Sequence, residues 1–456
     1  MDLTARLRRF SFARPHLLVV AAPAAVETRL AVERYARERG WPAAESPADA
    51  DVLAVVGSSD VGLASTVAVL ESQIPTPWIR VDLLDASSVV PKLDAAPDQL
   101  AAWSPDPTAA GGSGSRPKDS GGGEHGGPGE HGRRANHREL GEDGGFREDR
   151  EQGEHGGHRE RPTPHASEGR EGAAHEMGGH EMGGHEMGGG HEHHMGAVAG
   201  LPMADRAPDR DGLKLDVLHV PLGPVLPYWP PGLRLSLAVQ GDVVQEAVVE
   251  TVGVAVSGPS FWDQPVVRAL AGDRVRVGDI ARRRAASHLD SLMRLLGVAG
   301  WDGPAMRCAV LRDGVLDGEP AGPLTEMFRP LARRVAGSRS LRRMTEGLGD
   351  LNGRACDHAG VSGPAAVAAG DVWARLQQWV RSAAEDLARS DDDSWVADVE
   401  GPRGRLDLAE PPSLALLGVL PELLVGAELA GVRLIVASLD PDLAELASQP
   451  AVTAHG

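Results

Sequence analysis

Cysteine is almost absent: the 456-residue chain has two, Cys308 and Cys356. Two thiols cannot frame a disulfide-rich secreted domain, no CxxC pair occurs, and the four thiolates of an ordinary iron–sulfur cluster are lacking. Aromatic residues make up only 4% of the chain, with two tyrosines among them. No run of about 20 uncharged apolar residues is present, so no membrane span is predicted. A basic excess is missing too. The formal net charge of −19 repels a phosphate backbone and excludes a general nucleic-acid binder, and Arg282-Arg283-Arg284 is too short to reverse that. Walker A, GxSxG, HExxH and complete GxGxxG motifs are all absent.

What is present suffices for two or three domains, since 41% of the residues are hydrophobic. Basic residues and a short apolar run at the start resemble a signal peptide. Pro23 interrupts that run, and an amphipathic pattern follows at once, so a buried first strand is predicted and the chain reads as cytoplasmic.

The pattern divides the chain in three: a small α/β domain over 1–103, a disordered Gly/His/Glu-rich linker over 104–213, and a mainly helical α+β domain over 214–456. In the first, HLLVVAA, DVLAVVGSSD and PWIRVDL read as buried strands, with helices over VETRLAVERYARERG and VGLASTVAVLESQI between them. This order predicts a doubly wound sheet. The Gly57-Ser58-Ser59 junction is a tight strand–helix turn of a kind that can also meet an anion.

The linker holds 12 of the 17 histidines and cannot bury enough apolar surface to offset the entropy of ordering. Its HEMGG repeats place His175, His180, His185, His191, His193 and His194 beside Met177, Met182 and Met187. Neutral imidazoles and thioethers suit nickel or copper, held loosely in a flexible chain. A solvated tether with no metal role is the alternative.

From residue 214, LKLDVLHVPLGP and LRLSLAVQGDVVQEAVVETVGV read as a hairpin-rich sheet turning at Gly241-Asp242. IARRRAASHLDSLMRLLGVAG is a long amphipathic helix with Ala285, Leu289, Leu292, Leu295 and Leu296 on or near one face, and further helices are predicted over 324–335, 372–389 and 414–430. Cys308 reads as buried and inert. Cys356-Asp357-His358 reads as a loop, and Asp391-Asp392-Asp393 as a solvated acidic run.

The order of motifs in this half resembles the large subunit of NADH-quinone oxidoreductase (complex I) that is related to [NiFe]-hydrogenase large subunits. The similar pieces are the opening hairpin with Gly223-Pro224, the helix with Ser287-His288-Leu289, and the turn Val361-Ser362-Gly363-Pro364. The Glu400-x-Pro402-Arg403-Gly404 motif and the closing Ser438-Leu439-Asp440 follow in order. The stretch over 48–84 is similar to a part of the iron–sulfur subunit that pairs with it in the same complex.

The resemblance implies a quinone bound between those two subunits, met by a hairpin histidine and a tyrosine. Here the hairpin GPVLPYWPPGL has no histidine in its turn, and Tyr228 or the Trp229 indole is the remaining donor to a quinone carbonyl. His288 matches a family histidine that couples cluster reduction to proton uptake, a task suited to a near-neutral pKa, and its plainer role is a structural hydrogen bond. Arg403 is the cofactor-side candidate, or an internal guanidinium paired with acids such as Glu400. Residues 1–213 contain no cysteine, so this chain cannot hold the cluster of that iron–sulfur subunit, and the two CxxC pairs of hydrogenases are missing.

The favoured reading is a redox-degenerate docking subunit of a respiratory or hydrogenase-like complex. Its partners would be an iron–sulfur subunit and a membrane arm, placing it peripherally on the cytoplasmic face of the plasma membrane. The alternatives are an active quinone-reducing subunit whose cluster lies on a partner chain, and a nickel- or copper-handling protein.

Overall fold

In a computed structural model of the chain, the described residues are 10–58, 61–103, 206–208, 214–254, 258–395 and 400–448. The His/Met repeat and every linker metal candidate from His175 to His194 lie outside them.

Three short runs of β-branched and aliphatic residues, β1 (Leu17–Ala21), β2 (Val52–Val56) and β3 (Ile79–Leu83), form a parallel sheet in the order β1-β2-β3. Period-2 alternation sends Val52, Ala54 and Val56 to one face, where they meet Val32 and Tyr35 of helix α1 (Val26–Arg39). Leu53 and Val55 face the other way onto Leu63 and Val67 of helix α2 (Val61–Gln73). Gly40 ends α1 with φ +65°, a left-handed cap favoured by glycine. Helices α3 (Val89–Asp94) and α4 (Ala96–Ala102) complete this layer.

This segment does not stand apart from the C-terminal half. Val26 and Leu30 of α1 are buried in the main core of the C-terminal half, and the described residues of the two segments form one compact unit. Burying two such side chains is worth about 3–6 kcal/mol by transfer, before ordering costs.

A four-stranded antiparallel sheet begins earlier than composition predicts, because β4 (Arg206–Pro208) lies within the segment assigned to the linker. It pairs with β5 (Lys214–Leu222), followed by β6 (Leu233–Gln240) and β7 (Val243–Thr251) around the Gly241-Asp242 turn. Helix α5 (Gln264–Leu270) leads into the central helix α6 (Val277–Val298). The predicted stripe Ala285, Leu289, Leu292, Leu295 and Leu296 is buried, packed against α7 (Asp302–Leu316) and, further along the chain, against α12 (Val372–Arg389). Between these lie α8 (Ala321–Ala336), α9 (Arg339–Thr345), α10 (Gly353–Ala359) and α11 (Gly363–Ala368). Cys356-Asp357-His358 is therefore helical rather than a loop, in α10.

The helix predicted over 414–430 is two helices, α13 (Pro412–Leu424) and α14 (Leu429–Leu439). Gly426, at φ +84°, breaks it, and the broken segment pairs with β7: Val244 N–H donates to Ala427 O and Gly426 N–H to Val244 O. Hydrogen bonds to a strand edge replace those of a continuous helix. Among the described residues, no helix is long and apolar enough to cross a membrane.

Candidate functional site

Asp440 is the hub of a buried polar cluster. It ends α14 in a left-handed conformation, at φ +41° and ψ +60°, unusual for a non-glycine residue. Its carboxylate accepts from Ser291 Oγ at 2.8 Å, Arg294 Nη1 at 3.1 Å and Arg403 Nη2 at 2.7 Å. Arg403 Nε donates to the Asp440 carbonyl at 2.5 Å and Nη1 to Ser287 Oγ at 2.9 Å. Arg403 thus pairs with Asp440, not with the exposed Glu400, because Asp440 offers both a carboxylate and a carbonyl inside the core.

The other similar motifs adjoin this hub. A Cβ on Gly363 would lie 2.5 Å from Arg403 O, so glycine lets the Ser362-Gly363 turn pack directly on the Pro402-Arg403-Gly404 turn. Ser362 Oγ accepts from Arg405 N–H at 3.2 Å. Ser438 accepts twice, its Oγ from Arg375 Nε and its carbonyl from Trp379 Nε1, both at 2.9 Å. Arg375 also donates to Gly349 O and Gly370 O, and burial holds its guanidinium down to about 10.

His288 is fully inside. Burial, with the positive charges of Arg403 and Arg284, pushes its pKa down to about 3, so the imidazole is neutral across the physiological range. Nδ1 lies 3.4 Å from Asp386 Oδ2, and the backbone of Pro402 and of Ser382 opposes the downward shift without reversing it. The ring packs at 5.4 Å on Trp379. Its pKa is therefore far from neutral. Asp386 is satisfied instead by Arg284, at 2.7 Å.

The hairpin donors are occupied or distant. Trp229 Nε1 donates to Leu233 O at 2.7 Å and is not available to a ligand. Gly223, at φ +78°, admits that indole, since a Cβ there would lie 2.5 Å from Nε1. Tyr228 is half-buried, and a Cβ on Gly297 would fall 2.5 Å from its ring. Gly297 is nine residues beyond His288 on α6, roughly 13 Å along the axis, so Tyr228 and His288 do not share a site. Two cavities stand out among the described residues, and neither is lined by Tyr228 or His288.

The larger of them is an open cleft of about 510 Å³ at the carboxyl ends of the parallel strands, beside Gly57 and Ser58. Glu27 and Asp85 line it and no basic residue does, which disfavours the anion considered for this turn. The smaller is a cavity of about 20 Å³ between Arg294, Arg403, Asp440, Asp442 and Trp262.

Two further clusters escape sequence reasoning. In the first, α1 meets α6 and α7 through buried ions. Asp290 accepts from Arg29 Nη2 at 2.8 Å and from Arg312 Nη1 at 2.6 Å, with Arg294 Nη2 3.3 Å away. Arg312 also reaches Glu33 at 2.8 Å and Asp313 at 2.9 Å, and Arg37 pairs with Asp313. Despite the opposing effect of burial, the surrounding guanidiniums hold the Asp290 carboxyl far below the usual range. Arg29 and Asp290 lie 261 positions apart, and each sits on what reads as an ordinary charged helix face.

In the second, Asp263, Asp442 and Glu445 bring carboxylate oxygens within 4.8 Å of one another. Ser260 donates to Asp442, Ser413 N–H to Glu445 at 2.8 Å, and Asp442 N–H to Ser413 Oγ at 2.8 Å. Asp263 is 3% exposed and its Oδ1 has no donor. Burial, then repulsion from Asp442, pushes Asp263 up to about 8, and burial likewise raises Asp442 and Glu445. The sequence signal is two i, i+3 pairs, Ser260-x-x-Asp263 and Asp442-x-x-Glu445, too far apart to associate.

Cys308 is buried and its thiol is pushed up to about 12, as expected of an inert core cysteine. The acidic run is not merely solvated: Asp391 pairs with Arg282 and accepts from Ala321 N–H, and Asp393 pairs with Arg276.

No protein-family profile matches the chain, and no curated protein matches it. Among solved structures, the protein is similar to one component of the membrane-bound sulfane sulfur reductase, an archaeal respiratory membrane complex. The identity is 17% over 50% of this chain and 98% of that one, with a TM-score of 0.35.

Proposed function

We propose that this protein is a docking component, like the complex I large subunit, of a respiratory or hydrogenase-like membrane complex, without a redox centre of its own in the folded halves. The convergence on Asp440 carries this reading. Ser287, Arg403 and Asp440 come from three motifs similar to those of that large subunit, and they meet in one hydrogen-bonded core cluster, with Ser362-Gly363 against it. A cluster of this kind rigidifies a scaffold, since its members are held by charge-assisted bonds.

The same geometry argues against quinone reduction by this chain. Trp229 is satisfied internally, Tyr228 packs on Gly297, and His288 is neutral and sealed. A partner protein would then supply the iron–sulfur cluster.

The test is purification of the full-length tagged chain from native membranes in mild detergent, with iron and quinone assays on the product. Co-purification with an iron–sulfur subunit and membrane subunits is expected, with iron assigned to the partner chains. Recovery of the protein alone, at every detergent concentration tried, would defeat the proposal.

A further inference from the structure

We infer that Asp263, Asp442 and Glu445, with Ser260, form a binding site for a hard divalent cation of the calcium or magnesium type. This goes beyond docking and does not depend on it. Three carboxylates crowd together while the adjacent guanidiniums, Arg403 and Arg294, are already engaged by Asp440. Uncompensated charge inside a protein is costly, so such a group must take up protons or a cation.

The orphaned oxygen points to the cation. Asp263 is almost wholly buried, its carboxylate belongs to the cluster, and its Oδ1 receives no hydrogen bond. A Cβ on Gly401 would stand 2.4 Å from that oxygen, so glycine is what lets the Asp263 carboxylate occupy this place. The small cavity next to Asp442 holds about 20 Å³, enough for one water to complete a coordination shell.

The donor set decides the class of ion. All the candidate ligands are oxygens, with no thiolate or imidazole among them, which suits calcium, magnesium or manganese and disfavours nickel, copper or iron held by soft ligands. Oxygens that all lie within 4.8 Å of one another can reach a single ion at calcium–oxygen distances of about 2.4 Å.

The full-length chain, stripped with chelator and desalted, is titrated with CaCl2 and then MgCl2 by calorimetry at pH 7.5. Neither ion favours the His/Met ligands of the linker. One tight calcium site per chain is expected, weakened at least tenfold in Asp263→Asn and in Glu445→Gln. It should be unchanged when Asp391, Asp392 and Asp393 are all replaced by Asn. A second measurement needs no variant: terbium bound at this site should show emission sensitised by the neighbouring Trp262, displaced by calcium. Absence of both calcium heat and sensitised emission in the wild type would overturn the inference and mark the cluster as protonated. Calcium binding of unchanged affinity in Asp263→Asn would overturn it as well, placing the ion elsewhere.

Discussion

Asp290→Asn tests how the two halves of the chain are joined. The substitution keeps the side-chain shape and removes one negative charge from between Arg29 and Arg312, both buried, with Arg294 at 3.3 Å. Glu33 still serves Arg29 and Arg312, Asp313 still serves Arg312, and Asp440 still serves Arg294. Arg29 and Arg312 each lose one acidic partner, and the amide that replaces it carries no charge to offset theirs. Breaking a buried pair by removing one partner costs about 3–5 kcal/mol, and the remaining acids place this case near the lower end. Folded domains have only about 5–15 kcal/mol in total, so urea unfolding should show a large fall in midpoint. Arg34→Gln, at a part-exposed pair, should cost less than about 1 kcal/mol. The pH dependence has a definite sign. Asp290 is depressed in the folded state, so its contribution is present above the unfolded carboxylate pKa of about 3.9 and is lost as pH falls below it. The variant should lack that acid limb. A loss below about 1 kcal/mol for Asp290→Asn, with the acid limb intact, would refute the reasoning.

Three other outcomes are expected. His288 is held at about 3 against about 6.5 unfolded, so the unfolded state binds the extra proton and stability falls as pH drops through that window. At pH 5 the term is roughly 2 kcal/mol, and His288→Gln should lose that much less stability than wild type between pH 7 and pH 5; parallel curves would contradict it. Gly297→Ala gains about 1 kcal/mol of helix propensity but drives a methyl into the Tyr228 ring, so a net loss of about 1–2 kcal/mol is expected by thermal unfolding, relieved in a Tyr228→Ala background. A double-mutant cycle of Asp290→Asn with Arg403→Met should show coupling above about 0.5 kcal/mol through Arg294, which contacts Asp290 and Asp440 both; strict additivity would show that the two clusters are independent.

Legibility in the sequence follows the range of the interaction. Periodicity locates α1, β6, β7, α6 and α12 closely, because amphipathic spacing is local and the packing agrees with it. It does not show the break at Gly426, which is made by pairing with β7 far back in the chain, nor β4, whose partner is β5. The motifs are legible as pieces, but nearness in sequence pairs Arg403 with Glu400 when its acceptors are Asp440 and Ser287. The same limit hides Asp290 and the Asp263–Asp442–Glu445 cluster: each carboxylate alone is an ordinary acid, and only the fold makes it a buried one.

These buried ions form one connected path. Arg29 of the first segment pairs with Asp290, Arg294 lies between Asp290 and Asp440, and Asp440 holds Arg403. The path runs from a helix packed on the parallel sheet to the cluster where Ser287, Arg403 and Asp440 meet. Each link is a guanidinium between carboxylates, with little water to screen it, so its energy depends on partners keeping their places. Buried ion pairs of this sort are poor sources of stability compared with apolar packing, and apolar residues could fill the same volume. What they add is geometric demand: a sheet segment shifted by one helical turn would part Arg29 from Asp290 and Glu33 from Arg312. The network therefore fixes the register between the sheet segment and the helical half, which a docking surface built from both would require.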